Sequence, residues 1–206
     1  MYIPSHFAGD QATGREIMKA HSWALLMTSD EQGTPLATHL SLIWRNDGTP
    51  HGSLIGHMAR ANAHWQELEG AGEVLVVFSG PHAYVSPSWY ANHPSVPTWN
   101  YAVVHAHGRA RLLPPEALPG LLDRLSRAYE DARPSPWRMA GLPADYTAKM
   151  LPAIVGFEVA VERLEGKFKL SQNRRREDVD GVAAALEREG QPELAALMRE
   201  HAPESR

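Results

Sequence analysis

Between residues 79 and 107 the chain reads Ser-Gly-Pro-His-Ala-Tyr-Val-Ser-Pro-Ser-Trp-Tyr-Ala-Asn-His-Pro-Ser-Val-Pro-Thr-Trp-Asn-Tyr-Ala-Val-Val-His-Ala-His. Trp89, Tyr90, Trp99 and Tyr101 crowd beside Pro81, Pro87, Pro94 and Pro97. Tryptophan and tyrosine bury a large apolar body but need a partner for the polar tip. Loop prolines stiffen a segment that would otherwise be floppy. Stiff aromatic area with polar edges suits a wall that holds a flat, polar-edged ligand. It also suits a barrel core whose ends are capped by Trp and Tyr. On a strand, Trp99 and Tyr101 share one face and Asn100 takes the other.

Three further groups of residues could do chemistry. The run Gly56-His57-Met58-Ala59-Arg60-Ala61-Asn62 reads as a strand passing into a helix. Free N–H groups and the positive dipole end there favour a phosphate. A cation in the first helical turn costs roughly 0.3–1 kcal/mol, and an arginine that breaks this rule is explained by an anionic ligand or by solvent. Arginine also matches phosphate with a two-pronged geometry. The run Glu165-Gly166-Lys167-Phe168-Lys169-Leu170-Ser171-Gln172-Asn173-Arg174 gathers lysines, amides and a hydroxyl. It is either a polar clamp for a heterocycle edge or phosphate, or a helix cap with solvated charges. His105 and His107 lie two apart on one strand face. That spacing admits a metal or haem ligand pair, but hydrogen-bonded histidines on a sheet face are the ordinary reading, and no metal site is assigned.

Composition removes several classes. The 206 residues include no cysteine, which rules out disulfides, thiolate metal sites and thiol nucleophiles. A formal charge of −4 gives no global attraction to nucleic acid. The first residues have neither a basic flank nor an apolar run, so no signal peptide is expected. No stretch approaches the roughly 20 apolar residues of a membrane span, and a cytoplasmic protein is expected. There is no Gly-x-Gly-x-x-Gly, P-loop or His-Glu-x-x-His pattern, and no catalytic nucleophile or acid–base pair stands out.

The elements that must position these residues follow from periodicity. Asp10 is placed to cap a helix over 13–21. Strands are expected at 23–29, 36–45 and 52–58, with Asn46-Asp47-Gly48 closing a hairpin. A helix is expected over 59–68, with Met58, Ala61, Trp65 and Leu68 on one face. Residues 74–78, continuously apolar, read as a strand buried on both faces, and 83–86 as a second strand pairing with it. A Pro-rich loop over 87–97 leads into a long strand at 98–112. Pro115 opens a helix with Leu118, Leu121, Leu122, Leu125 and Tyr129 in its stripe. A short helix is expected at 143–151 and a last strand at 156–164. Residues 174–206 read as two charged amphipathic helices. The order implies a mainly β (α+β) fold, a small antiparallel barrel with peripheral helices. Its domain runs over 1–173 with a helical extension over 174–206. That extension resembles a helix–turn–helix reader in outline, but its acids give it poor attraction for DNA.

Six ordered motifs resemble the FMN-binding negative transcriptional regulator family, the PaiB-type proteins. They are 1–7, 56–62, 80–90, 96–101, 154–158 and 167–174. Ala63 departs from the proline expected after Asn62. The resemblance implies a split β-barrel of the flavin-reductase and pyridoxamine-phosphate-oxidase kind. It implies a homodimer with FMN at the subunit interface, and a regulatory role tied to protease and sporulation genes. On these residues, the FMN phosphate falls to Arg60 with His57 as a second donor, and Ile55 and His57 underlie the ring. Trp89 and Trp99 wall it, Asn100 meets its edge, and Lys169, Gln172 and Asn173 reach in, from the other subunit. Flavin-dependent oxidoreductase chemistry or a flavin-based regulator follows as the expected function, with a DNA-binding repressor acting through the C-terminal helices as the alternative.

Overall fold

The computed structural model describes residues 1–203. Among them, alternating burial writes a seven-stranded sheet. The strands are β1 (Ala8–Gly9), β2 (Trp23–Ser29), β3 (Pro35–Arg45), β4 (Ser53–Ala59), β5 (Val74–Val85), β6 (Thr98–Leu112) and β7 (Ile154–Lys169). The helices are α1 (Gln11–Ala20), α2 (His64–Glu67), α3 (Leu118–Glu130), α4 (Ala144–Met150), α5 (Arg176–Arg188) and α6 (Pro192–Glu200). Strand order is β1-β7-β4-β3-β2-β5-β6, and β6 pairs in addition with β7, so the order closes on itself. The registered ladders are antiparallel. The expected mainly β, antiparallel architecture with peripheral helices is present.

Two compact units divide the chain. One comprises Met1–Ala20, Ser79–Val104 and the chain from Glu165; the other comprises His21–Phe78 and His105–Leu164. In the second, Leu26, Leu42, Leu54, Phe78, Phe157 and Val159 are fully buried. Helix α3 lays Leu118, Leu121 and Leu125 on Ile55 of β4. Gly156 on β7 permits this: a Cβ there would stand 2.7 Å from Leu118 and 2.8 Å from Leu121. In the first unit, Phe168, Leu170, Val179, Val182, Leu186, Leu194 and Met198 are buried, and α5 packs on α6. Asp10 caps α1 by accepting a bond from the Thr13 N–H at 2.8 Å.

Two expected elements differ. The stretch 59–68 is not one helix. Ala59 still pairs with Ile154, and the Arg60 N–H donates to the Ala153 carbonyl at 2.8 Å, so the ladder with β7 holds the chain extended. Asn62 then accepts from the His64 N–H, and only His64–Glu67 is helical. Residues 74–78 and 83–86 do not pair as a hairpin either. Residues 74–78 and 83–85 lie on the single 12-residue strand β5, whose alternating burial leaves Leu75 and Val77 half-buried. Gly80 sustains the run, because its backbone comes close to Ala102, where a Cβ would stand 3.1 Å from the carbonyl oxygen.

Candidate functional site

In the second unit, β4 delivers Ile55, His57 and, just past its end, Arg60. The loss of the helix over 59–68 removes the dipole argument for a phosphate, since Arg60 sits in a turn. A different argument replaces it. Arg60 Nε donates to the Pro152 carbonyl at 2.8 Å and Nη2 to the Ile154 carbonyl at 3.2 Å. The guanidinium lies 5.6 Å from the Trp65 ring centre, and the Trp65 indole N–H donates to the Arg60 carbonyl at 3.0 Å. Neutral oxygens thus take two of five donors and fix the plane. Among the described residues no carboxylate lies within ion-pair distance of Arg60. An oriented guanidinium with donors to spare and no ion-pair partner has the chemistry to receive an anion.

Ile55 is in the core beneath α3. His57 shares its face of β4 and lines a pocket of about 230 Å³ with residues of α3, α4 and the segment joining them. Burial holds the His57 imidazole below the usual histidine range, and its Nδ1 is buried without a hydrogen-bond partner. His105 and His107 have ring centres 6.3 Å apart, and His107 Nδ1 meets Glu73 at 3.1 Å.

In the first unit, β6 separates two environments. On one face Trp99 is 53% exposed, with the Tyr84 ring edge-on at 6.2 Å. Trp99, Tyr101, Gly80 and His82 line an open cleft of about 450 Å³. The other face buries Asn100 completely. Its Nδ2 donates to Ser171 Oγ at 2.9 Å and meets Met198 Sδ at 3.3 Å. There Asn100, Thr98, Tyr90, Lys169, Asn173 and Arg174 line a cavity of about 180 Å³.

The turn after β7 shapes this cavity. Ser171 has φ 68°, unusual without glycine. Gln172 spans the turn: its Oε1 accepts from the Leu170 N–H at 2.8 Å and its Nε2 donates to the Phe168 carbonyl at 2.6 Å. Lys169 Nζ donates to Thr98 Oγ1 and, at 2.9 Å, to the Trp99 carbonyl. Burial, and then the neighbouring Lys167, hold its ammonium below the usual lysine range. Arg174 stacks on Tyr90 at 4.7 Å. Neither Lys169 nor Arg174 has a carboxylate within ion-pair distance among the described residues. Trp89 is half-buried in the turn Pro87–Trp89. Its carbonyl oxygen would be only 2.6 Å from a Cβ at Gly181, so α5 braces that turn.

Sequence reading missed two contributors. Arg174 ends the last motif but reads there as a helix-cap flank. Asp178, 2% exposed, accepts from the Asn92 N–H at 2.9 Å and from Asn92 Nδ2 at 3.1 Å, tying the Pro-rich loop to α5. An acid in a charged helix gives no sequence signal for such a partner 86 residues away.

A family model described as "Putative FMN-binding domain" matches residues 1–163. The chain belongs to this FMN-binding family. It is 38% identical over 206 residues to "Protease synthase and sporulation protein PAI 2" of Bacillus subtilis (strain 168), covering 97% of each chain. It is 33% identical over 177 residues to "Uncharacterized protein AN0679" of Emericella nidulans, covering 70% of each. Among solved structures, the FAD and heme binding protein from Mycobacterium smegmatis matches with TM-score 0.61 at 17% identity, over 78% of this chain and 71% of that one. The flavocytochrome Anf3 from Azotobacter vinelandii matches with TM-score 0.57 at 19% identity, over 77% and 67%. These likenesses establish the split-barrel fold. FMN is the family's cofactor, and the residues here fit it: unneutralised cations suit its phosphate, and an aromatic cleft suits its planar ring. No helix among the described residues is long and apolar enough to cross a membrane.

Proposed function

We propose that this FMN-binding protein is a flavin-dependent redox module working as a homodimer, with each flavin gripped by two copies of the chain. Bound FMN supplies one- and two-electron exchange; the protein supplies grip, orientation and electrostatics. Arg60 is the observation that carries the reading, because two backbone carbonyls aim a guanidinium that meets no acid among the described residues. In this reading Arg60 takes the phosphate, and Trp89 and Trp99 wall the ring. Lys169 and Asn173, joined by Arg174, add positive charge and donors. Ile55, Asn100 and Gln172 are spent on the protein's own groups and hold the others in place. His57 lines an apolar pocket, a poor setting for a dianion.

A shared site suits β6. Trp99 lines a cleft on one face of that strand, and Lys169, Asn173 and Arg174 line a cavity on the other, so one planar ligand on one face meets only one of the two groups. A two-fold axis brings opposite faces of two copies onto one ligand. Exposed Trp99, Tyr84 and Val96 are the residue types that such interfaces cover.

The DNA reading has less support. Two of the tail's cations are answered by its own acids: Arg176 by Asp180 at 3.0 Å and Arg199 by Glu187 at 2.6 Å. A regulatory role then follows the flavin's occupancy rather than base reading. FMN titration followed by flavin absorbance and fluorescence quenching tests the proposal. Saturation near one FMN per chain is expected. Arg60→Ala should weaken binding at least ten-fold, and Arg60→Lys, which keeps charge but loses the fork, should fall between. Equal affinity in all three proteins contradicts it.

A further inference from the structure

We propose that the pocket bounded by β4, α3 and α4 binds a neutral one- or two-ring aromatic molecule carrying a single hydrogen-bonding group, which meets the His57 imidazole. Its volume is about 230 Å³. That falls short of the roughly 300 Å³ at which sites for drug-sized molecules begin, and suits a small ring system. Leu122, Met139, Met150, Trp137 and Tyr146 supply its walls. Methionine side chains adapt to irregular shapes and favour aromatic partners. Among the described residues no lysine, arginine, aspartate or glutamate lines it, so an ion entering would lose hydration without gaining a partner.

Two observations show that the walls await a ligand. Trp137, Tyr146 and Met150 are 46%, 52% and 52% exposed, so the fold leaves large apolar side chains uncovered around the pocket. Among the described residues neither ring nitrogen of His57 has a hydrogen-bond partner; Nδ1 is sealed within the protein, which leaves Nε2 as the atom that meets the ligand. Burial favours the neutral imidazole, which has one donor and one acceptor nitrogen. A single polar group on the ligand completes it. The proposal stands apart from the flavin reading, because no charged group here receives a phosphate.

Equilibrium dialysis of the full chain against indole, quinoline and naphthalene tests it. Indole offers a donor, quinoline an acceptor, and naphthalene the same flat shape with neither. Either indole or quinoline should bind saturably at one per chain and at least ten-fold tighter than naphthalene. His57→Leu should erase that preference. Leu122→Trp, filling the pocket, should abolish binding; Met150→Trp, at its exposed edge, serves if the first variant does not fold. Saturating FMN should leave the bound fraction unchanged. The proposal is overturned by no saturable binding of any probe, by equal affinity for all three, by unchanged binding in a folded pocket-filling variant, or by one-for-one displacement by FMN.

Discussion

Glu158 shows how this protein uses charge in its interior. Its carboxylate, 7% exposed, meets Arg45 at 3.0 Å and Arg111 at 2.9 Å. Removing that charge strands two guanidiniums. Arg111 is 62% exposed, so solvent screens part of the loss. Glu158→Gln is expected to cost about 1–3 kcal/mol in urea unfolding; a change within error would show the triad to be incidental. Arg60 is the converse case, a guanidinium placed by carbonyls with no ion-pair partner among the described residues, which is why Arg45 and Arg111 read as structural and Arg60 as a ligand group. His64 makes a third point. Its Nε2 meets Thr28 Oγ1 at 2.8 Å and its Nδ1 meets Thr38 Oγ1 at 2.7 Å. Burial lowers its affinity for a proton, with Glu67 opposing weakly. A depressed histidine contributes stability above its unfolded value of about 6.5, and that stability drains away as pH falls. Unfolding free energy should therefore be flat near pH 8 and decline below about pH 6.5. His64→Gln should flatten part of that decline, and an unchanged slope would remove His64 from the cause.

At the scale of elements, the local apolar pattern was legible and long-range pairing was not. Strands β2 and β6 fall on the residues expected, because their local apolar pattern marks them off from the flanking turn and Pro-rich segments. The stripe of α3 was readable for the same reason, with Leu118, Leu121 and Leu125 buried as its period requires. Residues 59–68 misled because Met58, Ala61, Trp65 and Leu68 mimic a helical face, while the ladder from Arg60 to Ala153 comes from a strand nearly a hundred residues away. In the site, the motif residues were visible as types. The aim of Arg60, the partner of Asp178 and the pocket around His57 depend on segments distant in sequence. Gly181 carries a prediction at this scale. Gly181→Ala forces a methyl toward the Trp89 carbonyl at 2.6 Å, and neither backbone yields freely. A stability loss of about 1–3 kcal/mol is expected, together with weaker FMN binding as Trp89 shifts. A variant as stable and as tight as the parent would place Trp89 outside the flavin wall.

For the whole molecule the claim is that two copies share each flavin, Arg60 coming from one and Lys169 from the other. A homodimer should sediment at twice the 22.8 kDa chain mass. Arg60→Ala and Lys169→Ala should each weaken FMN binding alone. The deciding measurement mixes these two variants, allows subunits to exchange, and titrates FMN. In a two-fold dimer each mixed pair holds one site with both substitutions and one with neither. About a quarter of all sites should then recover parental affinity, since random exchange makes about half of the dimers mixed. No recovery after exchange would mean that both side chains serve a flavin within one copy, or that one of them serves none, and either outcome contradicts the shared site.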